Sequence, residues 1–319
     1  MKAFRPLIGC LLALCCAGAA ASDKTIAVTY FVEHPVVSDV IRGFKESLRA
    51  EGIEEGKGVN FLMQSAQGSP VTAAQIARQL AGAPIDLVFV LSTPSSQAIA
   101  TAIKDKPIVF AGVTDPVAAR LVANLTRPGG NITGSRDAPP IEQVARLITD
   151  FVPTAKSVGV VYNAGEANSK AQVEQFKRAA KSLGLEVVEA TVSKPSDVQT
   201  AAQSLDGKVQ AIFCPNDSTV VSNFEVLNRV QTDTGIPVFA SDVSNVRRGA
   251  LAGVGVSFYQ GGVNAGRIAA AILKRGEKPG DIPVAIPETF DTAVNEKTRS
   301  ALKIAVPEVV RKSAQFVGH

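Results

Sequence analysis

The sequence contains no tryptophan and only two histidines, His34 and His319, among its 319 residues. Without tryptophan, the side chain that most often stacks on a sugar ring is missing, which disfavours a carbohydrate site. Two histidines leave little material for a histidine-rich metal centre or a histidine general base. The net charge is only +4, which disfavours a nucleic-acid reader, because such a protein needs a concentrated basic face.

The first 21 residues have the pattern of a secretory signal peptide. A basic start precedes an apolar run at 7–16, and a small-residue cleavage pattern ends at Ala21. The run is shorter than the ~20 residues that span a bilayer. Lipid attachment at one of the three cysteines of this segment is the less favoured alternative. We therefore predict cleavage near Ala21 and a periplasmic or secreted mature protein.

The predicted mature chain keeps a single cysteine, Cys214, so it cannot close an internal disulfide. An exported protein without disulfides has to depend on a large packed core, for which the 46% content of hydrophobic residues is sufficient. Cys214 ends an apolar run and is predicted to be a core residue.

Short β-branched runs alternate with helical stretches from Ile26 to Ala240, and the pattern restarts after Gly130. Runs such as 86–91 and 108–113 are apolar throughout, which is typical of strands buried on both faces of a parallel sheet. Two successive βαβαβ units predict an α/β protein with two doubly wound parallel-sheet lobes.

The residues after Arg248 are too few for a third lobe. The economical interpretation is that they return to the first lobe and then cross back, which gives a hinge of three segments. We predict an N-terminal lobe formed by residues 22–134 and 251–286. The C-terminal lobe is predicted to comprise residues 135–250 and 287–319, with a cleft between the two sheets.

Ligands of open α/β sheets bind beyond the carboxyl ends of the strands, so the residues after each strand are the candidates. In the first lobe these are mostly hydroxyl side chains at the start of a predicted helix. Free N–H groups at a helix start, together with the helix dipole, suit a carboxylate. Helix capping is the alternative role for each residue. The candidates are Glu33, Thr93, Ser95, Ser96, Thr114 and Asp115.

The corresponding positions of the second lobe carry acids and amides. Three acids at separate strand ends are expected to face the hydroxyl-rich edge, although capping remains the alternative for each of them. An anion pocket on one lobe and acceptors for a cation on the other predict a zwitterionic ligand such as an amino acid. The candidates are Glu166, Asn168, Ser169, Asn216, Asp217 and Asp242.

The sequence has no P-loop, no strand-anchored G-x-G-x-x-G motif and no G-x-S-x-G motif. Nothing selects a pair of carboxylates for glycoside hydrolysis. We therefore predict a binding protein that is not an enzyme, with no cofactor and no metal site.

Several short segments together carry a family resemblance. They are 31–35, 65–68, 93–97, 113–116, 128–134, 162–169 and 240–242. With these segments the chain resembles the extracytoplasmic solute-binding proteins of ABC transporters, in the tryptophan/tyrosine-type family, which have the type I periplasmic-binding fold. The resemblance implies that Thr93, Ser95, Ser96 and Thr114 lie near a ligand carboxylate. Opposite them it places Glu166, Asn168, Ser169, Asp217 and Asp242.

The resemblance also implies a receptor that closes on a small zwitterion and presents it to a membrane permease. The ligand is expected to be an amino acid, with an aromatic side chain as one option. Apolar walls for such a side chain could come from Tyr30, Phe31, Phe258 or Tyr259. The protein is expected to be a monomer that does not bind nucleic acid. The alternative is a ligand-sensing receptor that acts on a membrane signalling protein.

Overall fold

The structure is a computed structural model and describes residues 23–318. The predicted signal peptide lies outside the described residues. Within them the strands form two sheets, one for each lobe. No helix in this part of the chain is long and apolar enough to cross a membrane.

The first lobe contains an all-parallel sheet in the order β2-β3-β1-β4-β5-β6. Its strands are β1 (Lys24–Tyr30), β2 (Glu54–Glu55), β3 (Gly58–Ser65), β4 (Leu87–Leu91), β5 (Ile108–Val113) and β6 (Ile132–Arg136). The connecting helices are α1 (Pro35–Ala50), α2 (Pro70–Ala81) and α3 (Thr93–Ala102).

Every residue of β4 is buried, as its continuous apolar sequence predicts for a central parallel strand. Helices cover both faces of the sheet. On one face the ring of Phe44 from α1 stacks on Phe89 of β4, with ring centroids 3.8 Å apart. The packing of helices on both faces of the sheet holds the carboxyl ends of β1, β4 and β5 in fixed positions at one edge.

The second lobe repeats this design. Its first elements are α4 (Ile141–Phe151), β7 (Ser157–Asn163), α5 (Ala167–Ser182), β8 (Glu186–Val192) and α6 (Val198–Gln203). Next come β9 (Ala211–Cys214), α7 (Ser218–Val221), α8 (Phe224–Thr234), β10 (Val238–Ala240), α9 (Val243–Arg247) and β11 (Ala252–Gly255).

The last part of the chain serves both lobes. Helix α10 (Phe258–Arg275) packs on the first lobe, and the chain then returns to the second. The returning elements are β12 (Asp291–Asn295), α11 (Glu296–Leu302), α12 (Glu308–Arg311) and β13 (Gln315–Val317). The second sheet has the order β13-β12-β11-β10-β9-β7-β8, and β12 is antiparallel to β11.

The chain crosses between the lobes at 137–140, 256–257 and 287–290, so the predicted hinge of three segments is confirmed. Two predicted boundaries are wrong. Strand β11, assigned from the sequence to the first lobe, pairs with β10 in the second sheet. Strand β6 continues past 134 to Arg136. The first error arises because the short apolar sequence of β11 does not indicate which sheet the strand joins. The second arises because the polar end of β6, Ser135 and Arg136, does not read as strand.

Helices α1 and α10 approach so closely that only glycine fits at their contact. A Cβ atom added to Gly43 would lie 2.2 Å from the carbonyl oxygen of Tyr259. One added to Gly262 would lie 2.0 Å from the carbonyl oxygen of Val40. This contact fixes the start of α10, and with it Phe258, against the first lobe.

Cys214 is a core residue, as predicted, with no exposed surface at the end of β9. The helical segment from Ser218 to Thr234 is divided into α7 and α8. The break lies at residues 222–223, where Asn223 leaves the helical conformation. The short helix α7 therefore needs its own N-terminal contacts, which the site supplies.

Candidate functional site

A cleft lies where the carboxyl edges of the two sheets face each other. It contains about 640 Å³ of space not filled by protein atoms, including its mouth. The first lobe lines it with the polar residues His34, Ser92, Thr93, Thr114 and Asp137. The second lobe contributes Asn168, Asn216, Ser218, Asp242 and Asn245. Strand ends therefore supply the polar lining, as expected for doubly wound sheets.

The start of α3 is prepared for an anion. No side chain of the described residues caps this helix, as is also the case for α4, α5 and α8, whereas α1, α2 and α10 are each capped by the preceding side chain. The hydroxyls of Ser92, Thr93 and Ser95 are buried and have no hydrogen-bond partner in residues 23–318. Ser92 has φ = +73°, a strained conformation that tends to occur at binding sites. Unused N–H groups and hydroxyls at one helix start can bind a carboxylate.

The hydroxyl of Ser96, unlike those of Ser92, Thr93 and Ser95, has a hydrogen-bond partner. Its Oγ donates to the carbonyl oxygen of Ser92 at 2.7 Å, one helical turn back. The structure therefore brings Thr93 and Ser95 to the α3 start with free hydroxyls, whereas the Ser96 hydroxyl is engaged inside its own helix.

Asp137 is an acid that the sequence analysis did not select. It follows β6 at the first crossing and is only 6% exposed. Its Oδ1 has no hydrogen-bond partner within the described part of the chain. Burial raises the pKa of Asp137 to about 6, against the lowering effect of a hydrogen bond with Thr114 and of the Arg136 charge. A buried carboxylate oxygen that is unsatisfied in this way suits a cation.

Two amides from the second lobe complete the polar lining. Asn168 donates through Nδ2 to the carbonyl oxygen of Asn216 at 2.6 Å, while its Oδ1 has no partner among the residues described. Asn216 accepts from the Ser241 hydroxyl at 2.8 Å, and its Nδ2 is likewise without a partner there. The second lobe thus offers the cleft one free acceptor and one free donor.

Asp242 lines the cleft as predicted, but its oxygens are already occupied. Oδ1 accepts from the Ser244 hydroxyl at 2.7 Å and from the backbone N–H of Asn245 at 2.8 Å. Oδ2 accepts from Nδ2 of Asn245 at 2.6 Å. Asp242 therefore caps α9 and has less capacity for a ligand than Asp137.

Glu166 and Asp217 are buried but do not line the cleft. Glu166 accepts from the backbone N–H groups of Ser218 and Thr219 at 2.9 and 3.0 Å, and from the Thr219 hydroxyl. Asp217 accepts from the backbone N–H groups of Asn163 and Val220 at 2.6 and 2.8 Å. The two carboxylates thus hold α7 in place, which is the capping alternative considered for both.

Burial and the neighbouring carboxylate of Glu166 raise the pKa of Asp217 to about 7, although a hydrogen bond from Ser169 lowers it. Ser169 itself has no exposed surface and does not line the cleft. Of the five second-lobe residues that the resemblance placed around the ligand, Asn168 and Asp242 line the cleft, and the other three support the α7 region.

Glu33 and Asp115 lie away from the cleft lining. Glu33 is exposed and accepts from the Tyr30 hydroxyl at 2.9 Å. Asp115 accepts from the backbone N–H groups of Val117 and Ala118 at 3.1 and 2.9 Å. Both side chains therefore act in local turns.

Glu33→Gln and Asp115→Ala are expected to leave the affinity for any cleft ligand unchanged within about twofold. Asp115→Ala should lower the free energy of unfolding by about 1 kcal/mol, because it removes a cap of this kind. Calorimetric titration and urea unfolding test these expectations. A tenfold loss of affinity in either variant would return that residue to the ligand site.

The rest of the cleft wall is apolar. It consists of Val32, Val36, Val37, Val40, Leu91, Val221 and Phe258. Of the aromatic residues considered from the sequence, Phe258 lines the cleft. Tyr30 instead bonds to Glu33, Phe31 is in the core, and Tyr259 bonds to Glu46. A side chain in this space would meet aliphatic groups and one aromatic ring.

Two direct contacts join the lobes beside the cleft. Gln172 of α5 donates through Nε2 to the hydroxyl oxygen of Thr114 at 3.2 Å. Nη1 of Arg248 lies 2.5 Å from Nε2 of His34. Burial lowers the pKa of His34, and the Arg248 charge acts in the same direction. Opening the cleft would separate both pairs.

Sequence reasoning missed Ser92, Asp137, Gln172 and Asn245. Ser92 was within the hydroxyl-rich segment, and its strained φ is invisible in the sequence. Asp137 directly follows a strand, as the other candidates do, but the sequence of that strand, ITGSR, is not apolar and gave little signal. Gln172 lies inside a helix, where nothing in the sequence separates it from surface glutamines.

Comparison with known proteins places the chain in a family. Residues 25–317 match the family described as ABC transporter substrate binding protein, so the chain belongs to that family. The members are solute-binding proteins and not enzymes, as predicted, and they are extracytoplasmic. More distant solute-binding proteins share only the fold, which is the predicted type I periplasmic-binding fold.

Three relatives are informative. The chain is 38% identical to the tyrosine-binding protein of Clostridioides difficile over 280 residues, which is 88% of this chain and 81% of the relative. It is 34% identical to an ABC domain from Streptococcus pneumonia solved with L-Trp, with a TM-score of 0.89 over 93% of this chain and all of the other. A substrate-binding protein with adhesive properties from Clostridium difficile, solved ligand-free and open, is 36% identical with a TM-score of 0.70, covering 92% of this chain and 99% of the other.

The two solved relatives differ little in identity to this chain but clearly in TM-score. The lobes are therefore arranged more as in the L-Trp complex than as in the ligand-free, open structure. The direct bond between Gln172 and Thr114 agrees with a closed arrangement.

Proposed function

We propose that the protein is the extracytoplasmic receptor of an ABC importer for an amino acid with an apolar or aromatic side chain, such as tyrosine or tryptophan. The signal peptide is removed near Ala21, and the mature receptor acts as a monomer. It closes on its ligand and delivers it to the membrane permease. No bond is made or broken, because ligand contacts with both lobes only shift the population towards the closed form.

The observation that carries this proposal is the set of buried polar atoms without partners around one cleft. The hydroxyls of Ser92 and Thr93 beside the uncapped α3 start suit a carboxylate. Oδ1 of Asp137 and Oδ1 of Asn168 suit an ammonium group. Because a buried polar atom without a hydrogen bond costs roughly 1–3 kcal/mol, this arrangement requires a partner of matching chemistry. An α-amino acid carries both of these groups.

The side-chain preference follows from the apolar wall and from the relatives. The side chain of a bound amino acid would contact aliphatic groups and Phe258, which offer no charge to pair with. A charged ligand side chain would therefore lose its hydration without compensation. The similarity to the tyrosine-binding protein and to the ABC domain solved with L-Trp supports an aromatic ligand.

The test is a thermal-shift screen of the mature protein with the L-amino acids, followed by truncated tyrosine analogues. We expect L-tyrosine or L-tryptophan to raise the melting temperature, since a ligand at a hundred times its Kd adds about 2.7 kcal/mol of stability. Tyramine lacks the carboxylate and 3-(4-hydroxyphenyl)propionate lacks the ammonium group, so neither should stabilise the protein.

A screen without any stabilising amino acid would contradict the proposal. Tyramine as effective as tyrosine would contradict the role of the α3 start. The importer role is tested separately, by uptake of the labelled ligand in cells with and without the gene. Binding with unchanged uptake would favour the sensory alternative.

A further inference from the structure

Gln172 connects the two lobes without lining the cleft. It lies on α5 of the second lobe and has no exposed surface. Its Nε2 donates to the hydroxyl oxygen of Thr114, which belongs to the first lobe, at 3.2 Å. Gln172 can therefore affect a bound ligand only through the residues that it contacts.

The orientation of the Gln172 amide is fixed by the second lobe. Its Oε1 lies 3.0 Å from the backbone nitrogen of Asn216 and 3.1 Å from the hydroxyl oxygen of Ser241. A backbone N–H can only donate, so Oε1 must face Asn216. Nε2 must then face Thr114, as a donor.

This orientation determines what the Thr114 hydroxyl does. The hydroxyl has a single hydrogen, and its oxygen accepts from Gln172, so that hydrogen remains available for another acceptor. The carboxylate of Asp137 is the acceptor placed beside it, because Thr114 and Asp137 both line the cleft and the backbone N–H of Asp137 donates to the carbonyl oxygen of Val113, the neighbour of Thr114, at 3.1 Å. A hydrogen bond from Thr114 to this carboxylate is inferred from that placement, and it agrees with the lowering effect of Thr114 on the pKa of Asp137. A chain of hydrogen bonds thus runs from the Asn216 N–H through Gln172 and Thr114 to the accepting carboxylate of Asp137.

We propose that Gln172 is a positioning residue that couples closure of the lobes to completion of the ammonium site. Its bond to Thr114 forms as the lobes close, and it directs the Thr114 hydrogen to Asp137. The same amide holds the backbone of Asn216, whose Nδ2 faces the cleft. This inference rests on the proposed function, since it concerns the same cleft.

Two consequences distinguish this role from simple packing. The bond between the lobes exists only in the closed form, so its loss shifts the equilibrium towards the open form and weakens binding. The second consequence concerns the pH profile. Asp137 must be ionised to pair with an ammonium group, and the charged groups that act on it are Arg136 and Asp242.

The test uses the mature protein with L-tyrosine or L-tryptophan, whichever the wild type binds, titrated by calorimetry from pH 5 to 9. Gln172→Leu and Thr114→Val are each expected to weaken binding about tenfold through the loss of the bond between the lobes. Gln172→Leu also removes the acceptor of the Asn216 N–H and the Ser241 hydroxyl, so urea unfolding has to show that the variant is folded at the temperature of the titration. The double variant should be weaker than either single variant by less than about threefold, because both changes remove the same bond. Independent effects would instead multiply to about a hundredfold, which would overturn the inference.

Gln172→Glu tests the direction of the hydrogen bonds. Glutamate keeps an acceptor for Asn216 and Ser241, so the second lobe should fold normally. It presents an oxygen to Thr114 and draws the hydroxyl hydrogen away from Asp137. We expect the midpoint of the loss of affinity at low pH to move upward by about one pH unit. Gln175→Glu, on the same helix, adds the same charge without facing Thr114, and a shift as large in that control would contradict the proposal.

A measurement without ligand separates this inference from the proposed function. Distances between spin labels on the two lobes give the closed fraction of the wild type and of Gln172→Leu. The variant is expected to have the smaller closed fraction, and an equal fraction would overturn the inference. A wild type that binds none of the amino acids contradicts the proposed function, whatever the label distances show.

Discussion

Asp137→Asn is expected to weaken amino-acid binding at pH 7.5 by at least about 30-fold. Removing one partner of a buried charge pair costs about 2–5 kcal/mol, and about 30-fold is the lower end of that range. The carboxylate of Asp137 is buried, and one of its oxygens has no partner in the described part of the chain, so its replacement mainly removes an ammonium partner. Calorimetric titration with L-tyrosine or L-tryptophan measures the effect.

The same change should not destabilise the ligand-free protein. The pKa of Asp137 is raised from 3.8 to about 6 in the folded state, so folded protein binds more protons than unfolded protein between these values. The free energy of unfolding therefore falls as the pH rises through this window, and it stays lower above it. Asparagine abolishes that loss, and urea unfolding at pH 7.5 should show equal or greater stability.

Asp39→Asn provides the control. Asp39 lies on α1 in the same lobe, and its solvent-accessible carboxylate forms an ion pair with Arg42. It is not part of the cleft lining. Its replacement should leave both affinity and stability almost unchanged. Normal binding by Asp137→Asn would refute the assignment of the ammonium site and leave Asp242 as the acid nearest to the ligand.

Glu166→Gln is expected to lower the free energy of unfolding by about 3 kcal/mol. The carboxylate receives hydrogen bonds from two backbone N–H groups and from the Thr219 hydroxyl. An amide has only one oxygen, so its NH₂ group must face a donor, and buried donors are left unsatisfied at about 1–3 kcal/mol each. Urea unfolding near neutral pH is the measurement.

The substitution also has a signature in the pH dependence. Glu166 helps to raise the pKa of Asp217 to about 7, so removing its charge should lower that pKa. In the wild type the raised pKa makes stability fall as the pH rises from 3.8 towards about 7, and the variant should lose less stability over this range. Glu174→Gln, at an exposed position of α5 that pairs with Lys177, is the matched control.

The binding measurement decides between two roles for Glu166. If it acts by holding α7, the folded variant should bind an amino acid within about threefold of the wild type. A folded and stable variant that no longer binds would instead show that Glu166 contacts the ligand, as the sequence pattern predicted.

The sequence located the region of the site better than its individual atoms. Every strand end that was selected lies near the cleft, because the carboxyl ends of parallel strands share one edge. The same residue types, however, cap helices and bind ligands, and short-range sequence cannot separate the two uses. Asp217 and Asp137 show this, since both follow buried strands. Asp217 accepts from the backbone N–H of Val220 in α7, whereas Oδ1 of Asp137 has no hydrogen-bond partner among residues 23–318.

The amino-acid sequence by itself determined the two doubly wound lobes, the three crossings of the hinge though not their bounds, and the absence of a known catalytic motif. These properties follow from local periodicity and from residue types that act wherever they are placed. Tertiary structure decided which polar atoms remain without partners. It brought Thr114 to Gln172 across the lobes and left Oδ1 of Asp137 buried with no partner within residues 23–318. The reason is that hydrogen-bond satisfaction depends on groups that are distant in the chain and meet only when both lobes are folded.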